Sequence, residues 1–413
     1  MQQSFLKNYG PTLLLLGGVL LGAVMGLIFG PDAAVVKPLG DLFLNLMFVL
    51  IVPLVFLSVA SALCNMRRSG LVGRLLGTAT GAFLVTSFIA ATSAYLILLV
   101  FNPLTGVDKS QIMANLPEAA AATGSLGETL VATFTVSDFP LLLSKSHLLP
   151  LILIAALAGF VAGSPKAAYA DRVARALETG TAWIADMLGA IMKLAPICLG
   201  CYFAYTVGML GGQLLTGYVR AWLIFLGMTV LLYFVLHTVY VWIALGRRGI
   251  LPFWRAILTP SLTAMATCSS AICIPLNIDA AKRLGVRPLI ADSVIPLGVN
   301  LHKDGSVQLG VMKAVFLMTL FGMSYTGVGS WLTLVGVAIL VGAVMGAIPT
   351  GGMTGELLVC SIFGFPPEMA AVVLVISTTV DIPATLTNST GNIVSALLVE
   401  RFTPVEKSRE SFH

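Results

Sequence analysis

The first 245 residues alternate long apolar runs with short polar or basic breaks. PTLLLLGGVLLGAVMGLIFG (11–30) and LGDLFLNLMFVLIVPLVFLSVA (39–60) set the pattern, and LLYFVLHTVYVWIAL (231–245) closes it. A helix needs roughly 20 apolar residues to cross a hydrocarbon core of about 30 Å. Six spans are predicted on that basis, over 11–30, 39–63, 76–101, 147–164, 178–207 and 216–245. The stretch 102–138 between the third and fourth is polar and longer than most connections, which places it outside the membrane.

The second half is patterned differently. Segment 256–284, AILTPSLTAMATCSSAICIPLNIDAAKRL, is broken at TCSS and again at Pro275, and both its flanks are basic. A single crossing would put those flanks on opposite sides, so the pattern predicts a re-entrant hairpin entering from the cytoplasm. Segment 333–364 repeats the arrangement, broken at AIPTGGM between uncharged loops, and predicts a second hairpin entering from outside. Each hairpin precedes a long span carrying polar residues, 289–320 and 366–400. Two broken segments in matching positions, opening to opposite faces, mark an inverted repeat around a midplane site. Non-helical backbone survives at membrane depth only where protein or a water-filled cavity satisfies it, so the two tips are expected to meet.

Composition removes the soluble alternative. Of 413 residues, 58% are hydrophobic and 10% charged, with mean hydropathy +0.98, whereas a soluble domain carries about 25% charged residues. The fold class is therefore an all-α polytopic membrane protein. The first run has no small-residue cleavage site after it and exceeds a signal h-region of about 7–15 residues, so it is read as a span. All six cysteines lie in or beside apolar segments, which implies no disulfide framework; Cys198 and Cys201 fall one helical turn apart and are read as packing residues. Basic clusters at 66–74, 165–175, 246–255, 280–288 and 400–409 contrast with loops poor in Lys and Arg. The positive-inside rule makes the basic set, and with it both termini, cytoplasmic. The net charge of +5 then reflects topology, and no nucleic-acid partner is implied.

Candidate chemistry gathers in two places. VNLHKDGSVQLGV (299–311) sets His302, Lys303 and Asp304 side by side in a hydrophobic span. Consecutive helix residues point about 100° apart, so an intact helix would turn at least one of the three toward apolar surroundings. Insertion scales set that cost at about 2.5–3.5 kcal/mol per Lys or Asp. The chain is predicted to unwind here, helped by Gly305, so that the ionisable groups turn inward and pair. The bland reading is an ion pair that only stabilises packing.

In the last span Asp381, Thr385, Asn388 and Asn392 recur at i, i+4, i+7 and i+11, on one helical face. That stripe suits a bound zwitterion, with Asp381 pairing an ammonium and Asn388 donating to a carboxylate. Interhelical hydrogen bonding is the competing reading for Thr385 and Asn392. The first tip supplies Ser269 and Ser270 just before a half-helix, whose free N–H groups attract an anionic group.

This combination resembles the dicarboxylate/amino acid:cation symporter family, the glutamate transporter homologues. The resemblance runs over nearly the whole chain, with its specific motifs between 256 and 400: a serine-rich first tip before proline (CSSAICIP), an unwound Asn-Met-Asp-Gly-Thr motif, a Pro-Gly-rich second tip and a polar last span. It implies eight spans, two re-entrant hairpins and an elevator-like secondary transporter assembled as a homotrimer in the bacterial inner membrane among lipid. The implied scaffold comprises 1–75 and 147–215, the implied transport domain 76–101 and 216–402, with 102–146 an extracellular loop and 403–413 a cytoplasmic tail. Substrate would be held by Ser269, Ser270, Ser306, Pro349, Gly351, Asp381, Thr385 and Asn388. Thr86, Ser87, His302, Lys303, Asp304, Asn388 and Asn392 would form the coupling site, with a sodium ion near Asp304 or a proton as coupling ion and no transition metal or other cofactor.

The departures from that family shape the functional expectation. The arginine of the last span is replaced by Ala384, its alternative position in the first tip is Cys268, and no arginine falls in a substrate segment. Arginine suits bidentate carboxylate capture. Without it an acidic substrate would need Lys303 or Lys313, so a neutral amino acid is expected, with acidic amino acids or C4-dicarboxylates as the alternative. His302 replaces the motif's asparagine, Lys303 its methionine, and Asn392 a last-span aspartate, while Phe83 stands where an aromatic hydroxyl would assist sodium. A Lys303 ammonium about 4 Å from a bound cation would repel it by about 4 kcal/mol at an effective dielectric of 20. Lys303 is therefore expected to neutralise Asp304 in place of sodium, or else His302, which titrates near neutrality, to serve as a proton site. A channel is opposed by the two opposed hairpins. A hydrolase built from Ser269 or Cys268 with His302 and Asp304 is opposed by the adjacency of those two residues and by the lack of a G-x-S-x-G elbow.

Overall fold

The computed structural model describes residues 2–68, 73–106, 131, 135–144, 147–164, 168–210, 213–344 and 351–403, and all regular structure among them is helical. Helix α1 (Gln2–Phe29) joins α2 (Lys37–Arg68) through a 3-10 turn, Gly30–Val36, whose first residue sits at φ +53°. Helix α3 (Gly73–Val100) runs unbroken. Most of the long connection expected at 102–138 lies outside the described residues.

The fifth expected span, 178–207, is two helices. Helix α4 (Leu148–Ala162) is followed by α5 (Ala170–Met192) and α6 (Ala195–Leu210), and α5 and α6 meet at a 62° bend. Pro196, in the first turn of α6, lacks the N–H that would continue the ladder across the junction. Helix α7 (Gln213–Val230), a π turn (Leu231–Leu236) and α8 (His237–Leu245) follow in the segment expected at 216–245. Leu215–Leu245 is 31 residues long and apolar enough to cross a bilayer, as are Leu75–Val100 and the stretch Gly17–Asn65.

Beyond a short helix α9 (Ile250–Ala256), α10 (Leu258–Thr267) and α11 (Ile274–Arg283) form the helix–break–helix predicted for 256–284. Ten residues at 1.5 Å each give about 15 Å, half the hydrocarbon thickness, so neither helix crosses alone. Cys268 closes α10 at φ +50°, and among the described residues it is the one non-glycine with positive φ. Helices α12 (Pro288–Leu301) and α13 (Asp304–Leu320) occupy the segment expected at 289–320, broken at His302 and Lys303. Helices α14 (Val328–Val344) and α15 (Gly351–Phe363) flank the second tip, and residues 345–350, Pro349 included, lie outside the described residues.

The single last span expected at 366–400 is also two helices, α16 (Met369–Thr379) and α17 (Asp381–Phe402), bent by 70° at Val380. Pro383 in the first turn of α17 cannot donate back to Thr379, which frees the backbone to turn there. Asp381 thus heads a helix instead of lying inside one.

Helices α1, α2, α4, α5 and α6 pack largely on one another. A Cβ added at Gly18, Gly22 or Gly26 of α1 would collide with the backbone of Pro196, Gly200 or Ala204 on α6. Small residues every fourth position let the two backbones touch, a common source of helix association in lipid. Helix α13, all 17 residues of which are buried, has α3, α7, α14, α15, α16 and α17 packed against it.

Candidate functional site

The break between α12 and α13 leaves His302 (φ −125°, ψ 109°) and Lys303 (φ −143°, ψ 76°) outside helical geometry. The His302 N–H still donates to the Gly298 carbonyl at 2.7 Å, and the Lys303 carbonyl accepts from Val307 N–H at 2.9 Å. The ladder therefore resumes at once on either side. Gly305 brings the break against α17: a Cβ there would stand 2.6 Å from the Ala384 carbonyl and 3.1 Å from Asn388 Oδ1. The unwinding read from the triplet is what the structure has, and it sorts the three residues into two environments.

The first environment is sealed. His302 and Asp304 are each 1% exposed. His302 Nε2 lies 3.0 Å from Asp304 Oδ1 and 2.7 Å from Thr86 Oγ1, and Ser87 Oγ donates to the same carboxylate oxygen at 2.8 Å. On the other side of the ring, Nδ1 lies 3.2 Å from Asn392 Oδ1 and 3.4 Å from Ser395 Oγ. Asn392 Nδ2 donates to the Asn388 carbonyl at 3.0 Å, which turns its Oδ1 toward the ring. Thr86 Oγ1 donates to the Ala82 carbonyl at 3.1 Å, which leaves its lone pairs to accept from His302. Both ring nitrogens thus face acceptor oxygens, an arrangement that suits a doubly protonated, cationic imidazole. Phe83 stacks on the ring at 4.8 Å between centroids.

Two expectations change here. Asp304 is paired by His302, where Lys303 was expected. Residues 302 and 304 also do face one another, against the argument from adjacency, because the break rotates one relative to the other. The assembly is nonetheless no hydrolase relay, since His302 meets Thr86 and Asn392 where a serine nucleophile would have to be.

The second environment is open. Asp381, at the head of α17, is exposed, and Lys303 is half-buried. Asp381 accepts from Thr385 Oγ1 at 3.4 Å. Behind it Asn388 and Ser306 bond reciprocally, Ser306 N–H to Asn388 Oδ1 at 3.1 Å and Asn388 Nδ2 to Ser306 Oγ at 2.9 Å. Helix α10, which leads into the first tip, and the broken span both pack against this last helix. Ser269 and Ser270 are half-buried in the tip, with Ser269 N–H donating to Thr267 Oγ1 at 3.3 Å. Gly351 opens α15. The left-handed Cys268 puts a strained residue at the first tip, and strain of this kind gathers at functional sites.

Lys313 is engaged elsewhere. Its ammonium lies 2.6 Å from Glu356 Oε1, both side chains fully buried, and Ser377 donates to the same oxygen. This ties α13 to α15 and α16 and leaves Lys303 as the cation of the open side. Glu356 passed unnoticed in the sequence, although a lone acid inside GELLVCSIF was a legible signal. His237 and Ser395 were missed too, because they lie on α8 and α17 and only the packing of those helices brings them near His302. His237 is fully buried, with no hydrogen-bond partner for either ring nitrogen among the described residues. Among those residues no group of three or more His, Cys, Asp or Glu could hold a metal ion.

Comparison with known proteins follows the same line. The model of the sodium:dicarboxylate symporter family matches residues 12–402. A C4-dicarboxylate transport protein of Deinococcus radiodurans is 26% identical over 394 residues, covering 93% of this chain and 87% of the relative. Those of Deinococcus deserti, at 27%, and Laribacter hongkongensis, at 26%, cover the same shares.

Proposed function

Because the chain belongs to the sodium:dicarboxylate symporter family, a family of membrane transporters and not of enzymes, we propose that it is a secondary active transporter of a small dicarboxylate. This reverses the order of the two substrates read from the sequence. The neutral amino acid rested on the absence of arginine, and that argument fails if a lysine fills the role. The observation that carries the revised reading is Lys303, a half-buried lysine in the break of the span, whereas Lys313 is fully buried against Glu356. The substrate in the relatives' names, a C4-dicarboxylate, points the same way.

Asp304 is the natural anchor of a coupling cation in such a site. Hard cations take oxygen ligands. The oxygens of Thr86, Ser87 and Asn392 nearest Asp304 are drawn to His302 or to the carboxylate itself. A sodium ion would have to displace the imidazole, so the residues present do not fit a sodium site at Asp304. His302 occupies that place, and coupling to sodium, where it occurs, uses another site. A homotrimer moving by an elevator step in the bacterial inner membrane, termini inward, completes the reading.

The test is uptake of radiolabelled succinate by the purified protein in liposomes, with sodium and proton gradients imposed separately. Accumulation above the external concentration with either gradient supports secondary dicarboxylate transport. No accumulation with either one removes it.

A further inference from the structure

We propose that His237 is a proton-carrying residue of this transporter, an imidazole that gains a hydrogen ion when the dicarboxylate binds and loses it when the dicarboxylate leaves. The inference rests on the proposed dicarboxylate transport and names the residue that couples it to a proton.

Three observations carry it. The first is an unpaired imidazole. His237 is fully buried, and neither ring nitrogen has a hydrogen-bond partner among the described residues. Buried polar groups are nearly always paired, and an exception asks for a reason. A cation without a partner is costly in such a place, so the ring stands neutral, with a hydrogen on one nitrogen and a lone pair on the other. The second is position. Helix α8 packs on α17, and a Cβ added at Gly391 of α17 would meet His302 Cε1 at 3.6 Å and His237 Nε2 at 3.8 Å. Both are ordinary contact distances, so a methyl-sized space lies beside Nε2, room for a water molecule to hand over a proton. The third is the backbone. His237 follows the π turn Leu231–Leu236, and its N–H donates to the Leu232 carbonyl, five residues back. Turns of this kind gather at functional sites.

Charge gives the reason for a proton. His302 with Asp304, and Lys313 with Glu356, cancel as pairs, and Lys303 and Asp381 add one charge of each sign. A dicarboxylate therefore brings two negative charges into a region of balanced charge, where an excess is expensive. One proton on His237 offsets one of them. The cationic His302 opposes a second positive charge across Gly391, and a bound dianion removes that opposition, which ties proton uptake to substrate. In the step itself a hydronium gives up a hydrogen ion and becomes water, and a new N–H bond forms on the Nε2 lone pair. Release runs in reverse, and nothing is oxidised or reduced.

The other ionisable groups on the elements packed against α8 are occupied or remote. Tyr233 of the π turn lies 5.8 Å from the His237 ring between centroids, and its hydroxyl is bonded to Ser261 at 2.7 Å. Tyr240, one turn along α8, has a buried hydroxyl without a partner among the described residues, but an acid of that kind adds no positive charge. Arg247 and Arg248 in the turn Arg247–Gly249, and Arg255 of α9, are exposed. On α17, Asp381 and Arg401 are exposed at its two ends, and Glu400 is bonded to Arg287.

The experiment follows labelled succinate in proteoliposomes in two modes, accumulation driven by an inward proton gradient and counterflow exchange without one. Wild type, His237→Gln and Gly391→Ala are compared. Both variants are expected to lose accumulation, reaching only the external concentration, while exchange persists because it needs no net proton movement. The methyl of Gly391→Ala fills the space beside Nε2 at contact distance, so this variant keeps the test alive if a melting curve shows His237→Gln unfolded. Nitrogen-15 NMR of the four histidines in nanodiscs reads the protonation itself, and His237 is expected to turn from neutral to doubly protonated on addition of succinate. Proton-driven accumulation unchanged in His237→Gln, or a His237 ring that stays neutral with succinate, overturns the proposal. Equal loss of both modes in a folded variant also overturns it, since that is the mark of a structural role. Wild type that accumulates succinate with a sodium gradient alone removes the proton and leaves dicarboxylate transport standing. Wild type that neither exchanges nor accumulates succinate fails the transport reading itself, whatever His237 does.

Discussion

His302 Nε2 lies 3.0 Å from Asp304 Oδ1, two residues along a span whose helix is interrupted between them. That pairing separates a closed, self-neutralised half of the site from an open half governed by Lys303 and Asp381.

Removing the imidazole isolates a buried carboxylate. His302→Ala is expected to cost about 3–5 kcal/mol, the usual result of breaking one side of a buried pair. The loss is read as a lower melting temperature of the purified protein. Sodium should stabilise the variant more than it does wild type, because the vacated space lies among the oxygens of Thr86, Ser87, Asp304 and Asn392.

The Lys313–Glu356 pair makes a separate prediction. Lys313→Met or Glu356→Gln alone leaves one fully buried group without its partner and is expected to destabilise by about 3–5 kcal/mol. The double variant should recover most of that loss. A double-mutant cycle on unfolding of the solubilised protein measures the recovery, and additive losses would mean that the two residues act independently.

Gly305→Ala probes how the break is seated. The added methyl would meet Ala384 O at 2.6 Å and so push the broken span away from α17. Reduced succinate affinity with a stable fold is the expected outcome, measured by calorimetry beside a melting curve.

Gly22→Leu probes the packing of α1 on α6. A side chain there has no room against the Gly200 backbone, so overpacking should cost about 1–3 kcal/mol or more. Lower yield and an earlier melt, at unchanged affinity in the protein that remains folded, would separate this packing from the site.

Much of this was legible in the chain. The breaks at TCSS and Pro275 marked an interrupted segment in 256–284, and α10 and α11 are each too short to cross. Three adjacent ionisable residues demanded an interrupted helix, and the interruption falls at His302 and Lys303. Pairing within the triplet was not legible. Which of His302 and Lys303 meets Asp304 depends on the rotation across the break, and spacing alone does not encode it. The bends at Val380 and between Met192 and Ala195 were missed because hydropathy stays high through both, although Pro383 and Pro196 were there to be read.

The most direct test of substrate class is competition against labelled succinate in proteoliposome counterflow, with unlabelled succinate, L-aspartate and L-alanine as competitors. Inhibition by succinate and aspartate at concentrations where alanine has no effect is the predicted result. Labelled succinate that does not exchange, alongside labelled alanine that does, would contradict the account and return the site to a neutral amino acid.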